Sequence, residues 1–166
     1  MALRDGYSGF AFFQAIPSQD IATGVALDGP QIDTRGYDTV TFVAETTTQA
    51  SVDNTTSYVQ LILQHGSNES AAGLVSQWSD VHPRDMIHSV VGVDGAYSTS
   101  AELGIWQSVG QAATSLPSAV YYVGYKGTQR YLRMRVSASV AAAFGMSMGA
   151  ICILGKPANW PVNEPV

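Results

Sequence analysis

The nine residues Asp80-Val81-His82-Pro83-Arg84-Asp85-Met86-Ile87-His88 carry the densest set of chemically capable side chains in the sequence. Two carboxylates and two imidazoles are the groups that bind a divalent metal or pass protons between acid and base. A metal site needs three or four such donors converging, with outer partners to orient them. The spacing here fits no metal-binding signature. The plainer expectation is a polar turn. Pro83 opens one helical turn, Asp80 caps it, Arg84 and Asp85 meet water, and the histidines pack or touch a neighbour. His65 directly follows an alternating run and reads as a strand-end residue. Together His65, His82 and His88 define a metalloenzyme alternative of the cupin kind.

Other nucleophile and acid–base signatures are missing. No Gly-x-Ser-x-Gly elbow occurs. Cys152 lies in the apolar run Ala150-Ile151-Cys152-Ile153-Leu154, where nothing lowers a thiol pKa, so it reads as a small core residue. No pair among the thirteen acidic residues stands out as a glycosidase pair. Gly124-Tyr125-Lys126-Gly127 lacks the strand-loop-helix setting of a phosphate cradle and reads as a hairpin turn. The expectation is a non-enzyme with no cofactor and no metal.

Aromatic residues offer a binding alternative. Tyr121, Tyr122, Tyr125 and Tyr131 cluster around one predicted hairpin, and Trp78, Trp106 and Trp160 lie in or near loops. Exposed rings stack on sugars, as in a carbohydrate-binding module. The favoured expectation is core or interface packing, where Tyr and Trp are enriched. Arg133 and Arg135 share one strand face. They read either as intersubunit ion-pair partners or as a charged edge that blocks strand pairing.

These side chains must be positioned by a single domain of 166 residues, long enough for one sizeable core. Hydrophobic residues make up 46% and charged residues 13%, about half the usual charged share. Neutral polar residues therefore fill much of the surface, and such a surface is easily desolvated against other subunits. Eight basic residues against thirteen acidic ones give a net charge of −5, which argues against direct nucleic-acid binding. The segment MALRDGYSG has no signal-peptide core, and no apolar run matches a membrane span. A soluble product of a cytoplasm, with no membrane partner, is expected.

Period-two alternation marks the strands. Phe10–Ile16 is a short apolar strand closed by Pro17, and Asp20–Leu27 suggests a second. Val40, Phe42 and Ala44 face one way in Thr39–Glu45, with Val43 breaking the polar side. Val59, Leu61 and Leu63 do so in Tyr58–Gln64, with Ile62 breaking it. Ser89–Val93 and Leu103–Val109 are further candidates. Ala119–Tyr125 is expected to pair with Tyr131–Val140 across Lys126-Gly127-Thr128-Gln129. There Leu132, Met134 and Val136 face the core, and Tyr131, Arg133 and Arg135 face away. Gly149–Leu154 closes the series. About eight short strands predict an all-β fold, an antiparallel β-sandwich or jelly roll. An N-terminal arm (1–9) and a Pro-rich tail (158–166) flank the sandwich domain (10–157).

Four segments carry a family resemblance: Ile32-Asp33-Thr34-Arg35-Gly36-Tyr37-Asp38-Thr39-Val40, Val59-Gln60-Leu61-Ile62-Leu63-Gln64-His65-Gly66, Tyr122–Arg133 and Ala150–Pro157. The series is a Gly-Tyr-Asp strand entry, a strand ending in Gln-His, a Tyr-x-Gly-x-x-Arg-Tyr-x-Arg hairpin and an apolar strand closing in Leu-Gly-x-Pro. It resembles small virion proteins of tailed bacteriophages, usually encoded among the head genes. The resemblance implies a head decoration or cement protein, made in the host cytoplasm and placed on the outer capsid surface. There it would tie together subunits of the major capsid protein, commonly as a dimer or trimer with a β-sandwich or jelly-roll fold. The expected contacts lie in the arm and tail, with Leu3, Tyr7, Phe10, Phe12 and Trp160, together with Arg133 and Arg135. A tail or head-fibre component and a carbohydrate-binding β-sandwich are the competing readings.

Overall fold

An alternating strand presents one apolar face, and that face needs a second layer to cover it. The structure, a computed structural model, describes residues 9–21, 24, 26–47, 59–66, 73–88, 104–109, 118–138 and 146–157. They form eleven strands: β1 (Phe10–Asp20), β2 (Ala26–Asp28), β3 (Ile32–Asp33), β4 (Tyr37–Thr46), β5 (Val59–Gly66), β6 (Ser79–Asp80), β7 (Met86–His88), β8 (Ile105–Val109), β9 (Ala119–Tyr125), β10 (Tyr131–Ala138) and β11 (Ser147–Pro157). One 3-10 turn, Pro83–Asp85, precedes β7, and the described residues contain no α-helix.

The strands form two antiparallel sheets, as the all-β reading expects. The first has the order β1-β11-β4-β9-β7. The second has the order β2-β10-β5-β6, with β3 also on β10 and β8 also on β5. Phe42, Ala44, Val123, Cys152 and Leu154 of the first sheet share one buried cluster with Leu61, Leu63, Leu132, Met134 and Val136 of the second. The inward residues of β4, β5 and β10 are those that the alternation selects.

The chain changes sheet repeatedly: β1 in the first, β2 and β3 in the second, β4 back in the first, β5 and β6 in the second. β7, β8, β9, β10 and β11 then alternate strictly. This overturns the expected hairpin of β9 with β10. β9 pairs with β4 and β7, whereas β10 pairs with β2, β3 and β5. Residues 126–130 are a corner between sheets. The alternation of two neighbouring strands says which face is apolar, not which strand lies beside them.

Two further differences follow from edge geometry. β1 does not stop at Pro17 but runs on to Asp20. It is an edge strand paired only with β11, where a missing N–H costs no ladder bond. Tyr131, expected outward, is 1% exposed because it begins β10 at the corner, under the Arg130 side chain. The expected strand Ser89–Val93 lies outside the described residues, as do residues 1–8 and 158–166.

Gly29, whose N–H donates to the Met134 carbonyl of β10 at 2.8 Å, lies directly against the Ala15 backbone of the other sheet. A Cβ at Gly29 would collide with the carbonyl oxygen of Ala15. Gly29→Ala should therefore lower unfolding stability by at least about 2 kcal/mol. Leu132→Ala, which empties a fully buried site, should lower it by about 2–5 kcal/mol. Urea titration checks both, and a Gly29→Ala protein of unchanged midpoint would contradict the close approach.

Candidate functional site

The run Asp80–His88 leaves β5's neighbour β6, turns once and enters β7 in the opposite sheet, so Asp80 sits on a strand while His82 and Asp85 sit on the turn. Asp80 does not cap the turn. Its Oδ1 accepts a 2.7 Å hydrogen bond from Gln64 Nε2 across the β5–β6 pairing. The cap is His82, whose Nδ1 accepts from the Arg84 N–H at 3.2 Å. Arg84 is exposed as expected, with its Nε 3.9 Å from Asp85 Oδ1. The Asp85 backbone ties the turn down, donating to the His82 carbonyl and accepting from the Lys126 N–H. The His88 side chain lies outside the described residues. Among the described residues, no group of three His, Cys, Asp or Glu converges as a metal site would require.

His65 is more than a strand end. Its Nδ1 lies 3.1 Å from the Tyr125 hydroxyl, which also accepts the Gln129 N–H at 3.1 Å. With the imidazole neutral, the phenol hydrogen is free to bond Nδ1. Burial pushes the His65 pKa below its ordinary 6.5, against the opposing pull of Asp85 and Asp80. This network clasps β5 of one sheet to β9 of the other. A second clasp holds the corner: Arg130 donates bidentately to Asp33, from Nε at 3.0 Å and Nη2 at 2.6 Å. The Arg130 pair is the main cause holding the Asp33 carboxyl below its usual range. Asp33 and Arg130 come from two of the four segments that carry the phage resemblance, so those motifs meet in space.

Burial pushes the Cys152 thiol up to about 12, which matches its core reading. Trp106 lies buried in β8, with no ring face open to a sugar. Trp78 is half-buried, with the Arg133 guanidinium 4.6 Å from its ring centre. Trp160, Leu3 and Tyr7 lie outside the described residues.

The outward faces of the two sheets differ sharply. On the second sheet, Arg133 and Arg135 both reach Asp28, at 3.2 and 3.5 Å. Arg133 Nε also donates to Gln64 Oε1 at 2.8 Å, which extends the network to Asp80. The two arginines thus pair within the chain. They do not form a charged edge, because β10 lies between β2 and β5.

The outward face of the first sheet is apolar. The ladders align Phe12, Ile153, Thr41, Gly124 and Ile87 in one row across all five strands. They align Gln14, Ile151, Val43 and Tyr122 in the next. Neither row holds a charge. Phe10, Phe12, Ile87, Val120, Tyr122 and Ile151 are all exposed, Val120 to 60%. Glu45 stands in a third row with Gly149 and Val120. A hollow of about 670 Å³ opens over Thr39, Thr41 and Gly124, rimmed by Tyr37, Tyr122, Ile87 and Lys126. Phe10 and Phe12 were expected contacts. Tyr122 was named in the aromatic cluster expected to pack in a core or an interface. Ile87, Val120 and Ile151 were not singled out as contacts, although Val43 gave a signal by breaking the polar side of its strand.

Two measurements test the titratable groups His65 and Cys152. A His65 pKa lowered by folding means that stability is full above about pH 6.5 and falls as pH drops through the folded value. The melting temperature should decline from pH 7 to 5, and His65→Gln should flatten that decline; equal slopes would contradict the clasp. Cys152 should resist alkylation at pH 8 in the folded protein and react fully in denaturant, as read by mass spectrometry.

No helix among the described residues is long and apolar enough to cross a membrane. No protein-family model, curated protein or solved structure matches the chain.

Proposed function

We propose that the chain is a virion structural protein, a decoration or cement protein that binds the outer head surface and stabilises contacts between major capsid protein subunits. The observation that carries this reading is the apolar outward face of the first sheet, whose two central rows carry no charge. A monomer at work in water seldom leaves so wide an apolar surface open. A protein whose task is assembly does. The rest of the molecule supports the same reading, because its ion pairs and buried hydrogen bonds clasp its own elements together. The strand order is also that of two interleaved Greek keys, and we infer a jelly roll.

Attachment to the shell is assigned to the arm and the tail. Phe10 pairs with Gly155, so β1 begins beside the end of β11, at one corner of the first sheet. The mechanism is mass action. A protein that binds only the expanded shell stabilises that state by its binding free energy. The burial of Trp106 and the guanidinium over Trp78 weigh against the sugar-binding alternative.

Deleting Met1–Gly9 should abolish co-sedimentation with expanded heads while circular dichroism and the thermal melt stay unchanged. Full binding by the truncated chain would sink the arm as the attachment. Electron microscopy of particles carrying labelled protein should place the label on the head; label on the tail would favour the tail-component reading.

A further inference from the structure

We infer that the apolar face of the first sheet is a two-fold interface, and that its occupant is a second copy of this chain.

Register decides which residues would meet. β4 is the central strand of the five, with β11 and β9 on either side and β1 and β7 outside them. Consider a two-fold axis lying in the interface along β4. It keeps each row and exchanges its two ends. Ile153, a branched knob, then meets Gly124 of the other copy, the one position in its row with no side chain. Phe12 meets Ile87, and Ile151 meets Tyr122. Thr41 and Val43 meet their own copies on the axis. One bulky position thus faces a bare one, and the pairs of Phe12 with Ile87 and Ile151 with Tyr122 set apolar side chains against each other. Gly124 is kept bare by its own neighbour, since a Cβ there would press on Ile87 at 3.2 Å.

Charge sets a condition. Each copy carries −5, which opposes association, so the copies must meet on a face that adds no charge contact of its own. The two central rows supply such a place. Area is sufficient. Four strand spacings of about 4.8 Å and four rows about 6.8 Å apart give a core of roughly 400 Å². One surrounding layer of side chains brings this to roughly 600 Å² per partner, against about 800 Å² in a standard interface. That size lies at the low end of interfaces, where weak, reversible contacts fall. Glu45 is the exception on this face. It lies in an outer row on β4, so the two copies place their Glu45 carboxylates near each other. Aligned sheets cross at about 30°, which separates the ends of the two β4 strands but leaves a like-charge cost.

Sedimentation equilibrium of the full chain, from about 1 to 300 µM, tests the inference. The wild type should pass from monomer to dimer. Ile151→Arg, on an exposed outward position, should weaken the dimer at least tenfold, with circular dichroism confirming its fold. Leu74→Arg, an exposed apolar residue away from this face, should leave it unchanged. Glu45→Gln should tighten association, as should raising salt, because both reduce like-charge repulsion; this pair of measurements stands even if Ile151→Arg misfolds. A monomer throughout, a trimer, or a dimer indifferent to Ile151→Arg and Glu45→Gln would overturn the inference. Head binding is read separately. A monomer that binds heads overturns this interface alone, and a dimer that binds none overturns only the decoration reading.

Discussion

Phe42, Leu61, Leu132 and Leu154 belong to one buried cluster, and that single core uses one face of each sheet. Each such side chain contributes about 1.5–3 kcal/mol on burial, so the pairing of inward faces dominates the fold's stability. Everything outward is then left with a choice between hydration and cover. The second sheet takes the first option. Asp28, Arg133, Arg135, Gln64 and Asp80 knit its outer surface with charge-assisted hydrogen bonds. The first sheet takes neither within the described residues: its outer rows carry Phe, Ile, Val and Tyr, and no charge occurs in the central two. Low total charge in the sequence is thus concentrated, not spread thin, and the asymmetry of the two faces is its result.

The two polar clasps are placed where the core cannot reach. His65–Tyr125 joins β5 to β9, and Asp33–Arg130 joins the entry of β4 to the start of β10. Both lie at the end of the sandwich where residues 126–130 cross between sheets. A corner must satisfy its backbone groups without a ladder. Here Thr34 N–H and Oγ1 both donate to the Arg130 carbonyl, at 2.9 and 2.8 Å. Gly36, at φ 91°, then lets the chain turn into β4.

Much of this was legible in the sequence, and what was not has a physical reason. Val40, Phe42 and Ala44, then Val59, Leu61 and Leu63, then Leu132, Met134 and Val136 announce their burial through period two alone. Cys152 announces its own through its apolar neighbours. Pairing partners were not legible: the Gly-containing turn after β9 looks the same whether it closes a hairpin or crosses between sheets. The Asp80–His88 cluster was legible as a turn, but its cap was not, because a histidine Nδ1 and a carboxylate serve the same orphan N–H. The apolar face was least legible. Val43, Ile151 and Tyr122 are each unremarkable in their strands, and become a surface only when the register sets them side by side.

The resemblance to phage head proteins gains a physical meaning from where its segments fall. Asp33, Thr34, Gly36, Tyr125 and Arg130 build the corner, and Leu61, Leu63, Leu132, Cys152 and Leu154 build the core. These are constraints of folding, which any protein of this architecture must meet. Phe10, Phe12, Ile87 and Val120 lie outside those segments and are four of the six exposed apolar residues on the outward face of the first sheet. The inferred contact surface draws on both the segments and the rest of the chain: Ile151, Ile153, Tyr122 and Gly124 lie within those segments, and Phe12 and Ile87 outside them. On that inference the centre of the surface is tied to strands that also build the core, while its ends are set by β1 and β7, on a frame that needs neither outward-facing and apolar to fold.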